Sequence, residues 1–227
     1  PLISAEANSD NVENDWIANL FEKARIVSDQ DMQNLWAKIL AGEANVPGSF
    51  SKRTLGIVSE FDKKDAVLFT NVGKYVFQIG IPTVVIFDVQ DEIYLKYGIS
   101  FGSLAHLDSI GLLKFDSLAG FARQKLPREF TIGYYGHSIQ FHMSNDLNNK
   151  IPIGTVLLTQ PGIELAAICG ANPEQHISEH SMKKWKENGG NLSYSSCMFS
   201  QEEPAPNTQC VPRETTSTFE YLIQEVS

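Results

Sequence analysis

The chain has 227 residues, 42% of them hydrophobic, with a formal net charge of -9 and a pI near 5.0. This supplies apolar material for one large domain or two small ones, and it disfavours non-specific attraction to phosphate backbones or anionic lipid. The three cysteines, Cys169, Cys197 and Cys210, are widely spaced and form no C-x-x-C pattern, which points to a reducing compartment and offers no zinc site.

Residues 1–9 are polar and expected to be loose, and Asp10 to Ala24 reads as an amphipathic helix with Trp16, Ile17, Leu20, Phe21 and Ala24 on one side. From Val27 to Phe69 the pattern predicts three short helices packed together. Ser28 is expected to cap the first, with Asp31 in the capping-box position and Val27 and Met32 as a hydrophobic staple. Met32, Leu35, Trp36, Ile39 and Leu40 recur at helical spacing, and Gly42 sits where a left-handed C-cap belongs. A turn on Pro47 and Gly48 leads to a second helix carrying Leu55, Val58 and Phe61. Asp62 caps a third, which carries Ala66, Phe69 and Val72, and the helical unit ends near Phe77.

After Gly80 the period changes. Ile81 to Phe87 predicts a strand, Ser100 to Ile110 a helix ended by Gly111, and Leu112 to Phe115 a further strand. Glu129 to Tyr135 and Ser138 to Met143 alternate around Gly136 and His137 as a hairpin does, and Ile151 to Leu158 continues as a strand. Thr159 caps a helix with Pro161 just inside it, Glu164 near its start and Ile163, Leu165, Ala166 and Ile168 along it. Helix, strands, then helix in this order is the order of a winged helix, and a generic α+β sandwich has it too. A last helix is expected from Glu174 to Asn188, ended by Gly189 and Gly190. The tail from Cys197 carries Pro204, Pro206 and Pro212 and five acidic residues against Arg213, and its apolar group Phe219, Tyr221, Leu222 and Ile223 is suited to dock as a short helix or strand. The expected fold is therefore α+β. A helical unit over 1–78 is followed by a winged-helix-like unit with a small antiparallel sheet over 79–190, and then by an acidic, loosely ordered tail over 191–227.

Three motifs invite a chemical reading. His176, Glu179 and His180 form H-x-x-E-H, which places two imidazoles on one helix face with Glu179 as a base for a zinc hydrolase. No later helix supplies the third ligand, so a solvated polar face is favoured and no metal is expected. Ser51, Lys52 and Arg53 precede a helix, where free backbone N–H groups, a hydroxyl and two cations suit an anion. Arg123, Lys125 and Arg128 cluster before the hairpin and suit phosphate contacts from a wing, although the helix before them offers Ser100, Ser103, His106, Asp108 and Ser109 and no cation. There is no G-x-x-x-x-G-K-[ST] or G-x-S-x-G, no catalytic residue stands out, and no cofactor is demanded.

The runs D-W-I-A-N-L-F-E-K-A-R at 15–25, L-W-A-K-I-L-A-G-E-A-N at 35–45, P-G-S-F-S-K-R-T at 47–54 and K-K-D-A-x-L-F at 63–69 resemble a bacterial domain family of unknown function, number 2806. D-V-Q-D-E-I-Y at 88–94, S-L-A-H-L-D-S-I-G-L at 103–112 and L-L-T-Q-P-G-I-E-L-A at 157–166 continue the match, which covers about residues 10–170. The L-W-A-K-I-L core and the D-A-x-L-F helix are more distantly similar to abortive-infection alpha proteins of phage resistance. The resemblance implies a bacterial intracellular protein and no catalytic residues. The expectation is a cytoplasmic interaction or regulatory module, possible in phage defence, with a protein partner or self-association and with no membrane segment in this chain. Nucleic-acid binding through a winged helix is the alternative, and zinc hydrolysis ranks below it. The sequence begins at Pro1 and leaves open what precedes it.

Overall fold

The computed structural model describes residues 12–188 and the backbone of two further strands at 193–196 and 223–225; the expectations for residues 1–9 and for most of the tail lie outside the described residues. Four helices open the fold: α1 (Asn14–Ala24), α2 (Gln30–Asn45), α3 (Lys52–Ser59) and α4 (Lys63–Gly73). α1 buries Trp16 and Leu20, and the Trp16 indole N–H donates to the Phe50 carbonyl at 2.6 Å. This hydrogen bond fixes α1 to the turn after α2.

α2 departs from the sequence expectation at both ends. Its cap is Asp29, whose carboxylate accepts the N–H groups of Asp31 and Met32 at 2.9 and 3.1 Å, so Ser28 lies one residue too early. The helix also runs straight through Gly42 to Asn45. Gly42 is small for a tertiary reason: a Cβ there would meet Phe50 Cε2 at 2.6 Å. The predicted turn on Pro47 and Gly48 is present, with Gly48 at φ +89°. α3 is capped by Ser51, whose hydroxyl accepts the Thr54 N–H, and α4 opens on an Asp62–Asp65 capping box.

Beyond α4 the chain forms a tight hairpin, β1 (Val76–Ile79) and β2 (Ile81–Val84), turning on Gly80 at φ +77°. The sequence reading placed Val76 and Phe77 at the end of the helical unit and missed β1. Then come α5 (Glu92–Leu95), α6 (Phe101–Ser109), capped by Ser100, β3 (Leu113–Phe115), β4 (Phe121–Leu126), β5 (Glu129–Tyr134) and β6 (His137–His142). β5 and β6 form the expected hairpin, with Tyr135 and Gly136 both at positive φ in its two-residue turn. They are followed by β7 (Asn149–Gly154), β8 (Val156–Leu158), α7 (Gln160–Ala166), capped by Thr159, α8 (Gln175–Asn188), β9 (Ser193–Ser196) and β10 (Ile223–Glu225).

The described strands make three antiparallel sheets, in the orders β2-β1-β5-β6-β9, β10-β4-β7 and β3-β8. The single strand expected over 151–158 is broken at Gly154, where φ is +96°, so that β7 pairs with β4 while β8 pairs with β3. The class is α+β. Its apolar core runs from Trp16 and Trp36 in the helices through Phe77 and Ile132 in the sheets to Trp185 on α8. Trp185 is fully buried, edge-on to Phe77 and Phe141 at 5.2 and 5.4 Å, and its N–H donates to the Pro152 carbonyl. Among the described residues no helix is long and apolar enough to cross a membrane.

Candidate functional site

A groove of about 600 Å³ lies between α2, α4 and the chain just after α7. α2 contributes Asp31, Met32, Asn34, Leu35 and Lys38, and α4 contributes Lys63, Ala66, Val67, Thr70 and Asn71. Both sets recur at three- and four-residue spacing, so each helix turns one face into the groove. Met32, Phe69 and Leu165 close its floor and belong to the core, whereas Val67 stands 54% exposed on its wall. Leu35, Phe61, Ala66 and Ile168 are only partly buried. Charge sits at two places. Lys63 is held by Asp31 at 2.5 Å and Asp29 at 3.7 Å, while Lys38 donates to the Ile168 carbonyl at 3.2 Å and pairs with no carboxylate among the described residues. Sequence reasoning singled out neither Val67 nor Lys38. The signal for Val67 was its place between Ala66 and the buried Phe69, which makes the apolar arc of α4 wider than the core requires.

The loop that carries Ser51, Lys52 and Arg53 is held from inside by two acids. Glu43 accepts the N–H groups of Gly48 and Phe50 at 2.6 and 2.9 Å, and Glu164 of α7 accepts the Ser51 N–H at 2.9 Å and the Thr54 hydroxyl at 2.5 Å. Both carboxylates are buried. A carboxylate at the start of α3 is favoured by the free amides and the helix dipole there. The position suited to an anion is therefore filled by the protein's own Glu164. Lys52 reaches Glu13 at 3.7 Å from the exposed side, and Arg53 faces outward.

The H-x-x-E-H face is divided between two partners. His176 Nδ1 lies 3.5 Å from Glu174, and its ring stacks on Tyr97, whereas His180 Nε2 lies 3.4 Å from Asp91 and its ring stands edge-on to Tyr94. Glu179 is exposed and accepts from Gln175. No group of three or more metal-binding side chains forms among the described residues. Around Glu174 lies a dense polar knot. Burial opposes its ionisation, but hydrogen bonds from Lys74 and Tyr97 and the charge of Lys74 outweigh that and hold its carboxyl below the usual range. Desolvation, then the hydrogen bond and charge of Glu174, push the Tyr97 phenol up to about 12. Tyr134, desolvated beside the same carboxylate, is likewise pushed up to about 12, and burial raises Tyr75 and Tyr94. This knot ties α4, α5 and α8 together.

Burial lowers the His180 pKa, with Lys184 and Lys183 adding to the effect and Asp91 opposing it. The folded imidazole thus titrates below 6.5, and near and below that pH the unfolded chain binds more protons. The stability linked to this group is complete above pH 6.5 and is lost as pH falls through the folded value. Melting curves taken across that range should show His180→Asn losing less stability on acidification than the wild type. Parallel curves would contradict this assignment.

Arg123, Lys125 and Arg128 do not converge. Arg123 lies inside the fold at 1% exposure, on β4, with Nη2 donating to the Thr83 hydroxyl at 2.8 Å. Lys125 is exposed in the irregular stretch of the β4–β7 pairing at φ +57°, and Arg128 pairs with Asp146 at 3.2 Å. The basic wing loop read from the sequence is a strand with one arginine turned inward. Phosphate contact from this region would fall to Lys125 and Arg128 alone.

Comparison with known proteins finds no curated protein and no solved structure that matches the chain. A family model described as "Protein of unknown function (DUF2806)" matches residues 2–181, and the chain belongs to that family.

Proposed function

We propose that the chain is an intracellular protein-docking module whose docking surface is the groove between α2, α4 and the end of α7. The observation that carries this reading is that α2 and α4 bring Leu35, Ala66 and Val67 to one open groove and leave Val67 in solvent. An open groove with apolar side chains between two helices and charged residues at its edge is a form that helix-in-groove recognition uses. The antiparallel β3–β8 pair between α6 and α7, with β4 to β7 inserted between its strands, supports a winged-helix ancestry for the second half, and winged helices serve protein docking as well as nucleic-acid binding. We further propose a cytoplasmic role in bacterial phage defence, which rests only on the similarity of the L-W-A-K-I-L and D-A-x-L-F runs to abortive-infection alpha proteins. Equal plaquing across a broad phage panel, with and without the gene, would remove it.

The docking reading predicts that Val67→Glu leaves the fold intact, because the side chain is exposed and Glu suits a helix. Its melting temperature should match the wild type within about 2 °C, corresponding to less than ~0.5 kcal/mol. Affinity capture from the source cells should retain at least one protein on the wild-type chain that the variant loses. Identical captured sets would overturn the reading.

A further inference from the structure

The groove has a shape and a charge that narrow its occupant. The α2 face from Asp31 to Lys38 covers about two helical turns, roughly 11 Å, and the α4 face from Lys63 to Asn71 about the same. Ridges of side chains at three- and four-residue spacing accept the matching ridges of a third helix, which buries its own apolar stripe between them. The spacing of these faces matches the side-chain ridges of a short helix.

The charges are unequal. Lys63 is already neutralised by Asp29 and Asp31, the Thr70 hydroxyl donates to the carbonyls of Ala66 and Cys169, and the Asn71 amide donates to the Tyr97 carbonyl. Lys38 differs. Its ammonium carries three donors, and the hydrogen bond it makes here, to the Ile168 carbonyl, leaves it without a countercharge among the described residues. A partner that covers the groove also desolvates Lys38, and a buried ammonium without a countercharge is costly. The groove therefore selects a partner that brings its own acid.

We infer that the groove binds an acidic amphipathic helix of a partner protein, with an Asp or Glu of that helix pairing with Lys38 and its apolar stripe lying against Leu35, Val67 and Ile168. This inference rests on the docking reading above. The stripe repeats at i, i+3 or i+4, and i+7, over about two turns, and the acid lies beyond one end of it.

The test uses the full chain and a random 16-residue peptide library displayed on phage. Panning should enrich helix-forming peptides that carry the apolar stripe and an adjacent acid. A fluorescein-labelled copy of the best peptide should bind Lys38→Glu at least about tenfold more weakly than wild type, and changing the peptide's acid to Lys should restore binding to that variant. Lys38→Met, which keeps the length of the side chain without its charge, should lose most of the preference for the acidic peptide over its Gln counterpart. Peptides that are lost on Val67→Glu yet carry no acid, or that ignore the charge at position 38, overturn the acidic-helix inference and leave the docking reading standing. Peptides indifferent to Val67→Glu, or no enrichment at all, overturn both.

Discussion

Gly154→Ala is expected to leave no folded chain. Gly154 sits at φ +96°, where a side chain is strained, and a Cβ there would lie 1.8 Å from the Ile86 carbonyl oxygen and 2.3 Å from its carbon. Neither partner has room to move. The Ile86 carbonyl accepts the Thr155 N–H at 2.7 Å and its hydroxyl at 3.2 Å, and the Ile86 N–H donates to Ile153 at 3.2 Å. The clash therefore falls where β7 gives way to β8, and relieving it unpairs both strands. The cost exceeds the ~4–5 kcal/mol that marks the extreme of single substitutions, against a total stability on the order of 5–15 kcal/mol. Soluble yield and circular dichroism should both collapse. Gly56→Ala is the control: Gly56 lies within α3 with open space where the Cβ would go, and it should be neutral or stabilise by up to about 1 kcal/mol. A Gly154→Ala chain that melts within a few degrees of the wild type would refute the close approach.

Glu164→Ala should cost about 2–4 kcal/mol, because the half-buried Ser51 N–H and the buried Thr54 hydroxyl at the start of α3 lose their acceptor together. Glu43→Ala should cost a similar amount through the N–H groups of Gly48 and Phe50. Both acids secure the one loop, from Gly48 to Thr54, so the double variant should lose less than the sum of the singles. Glu164→Gln keeps one acceptor oxygen and should lose less than Glu164→Ala. Urea unfolding measures all four. A loss below about 1 kcal/mol for Glu164→Ala would mean that the carboxylate does not hold α7 against α3. The same latch also bears on the groove. α7 delivers Ile168 to it, so peptide binding should weaken in Glu164→Ala even under conditions where the chain remains folded.

What could be read from the sequence was mostly what is decided locally. Asp62 and Thr159 cap the helices they were expected to cap, because a cap depends on residues within one turn of itself. Asp29 displaced Ser28 because the two neighbours compete for one position, and the carboxylate reaches two N–H groups. Gly42 was misjudged for a different reason. A glycine near a helix end signals a C-cap locally, and here the Phe50 ring, brought back by the Pro47–Gly48 turn, set its size. β1 was lost because its four residues follow α4 closely and carry no clear period. β4 was lost because F-A-R-Q-K-L reads as a charged loop unless Thr83 is known to receive Arg123.

The candidate site was harder to see than the fold. Leu35, Ala66 and Ile168 were all recognised as members of apolar faces, and on periodicity alone every such face is a core face. Whether a face is covered depends on where three segments separated by up to some 130 residues come to lie, as the Lys38–Ile168 hydrogen bond records. Lys38 itself has no local signature. Conversely, the motifs with the strongest local signatures were absorbed by the fold: the two histidines of H-x-x-E-H lie against different acids, Glu174 and Asp91, and the Ser51 loop is bonded to Glu164.

Site-specific photo-crosslinking in living cells tests the central claim most directly. A benzophenone side chain placed at Val67, on the groove wall, is compared with one placed at Thr131, an exposed position on β5. The account predicts a discrete crosslinked protein adduct from position 67 and none of the same mass from position 131, with the position-67 adduct lost on Lys38→Glu. No adduct at 67, or the same adduct from both positions, would contradict a docking groove between α2 and α4.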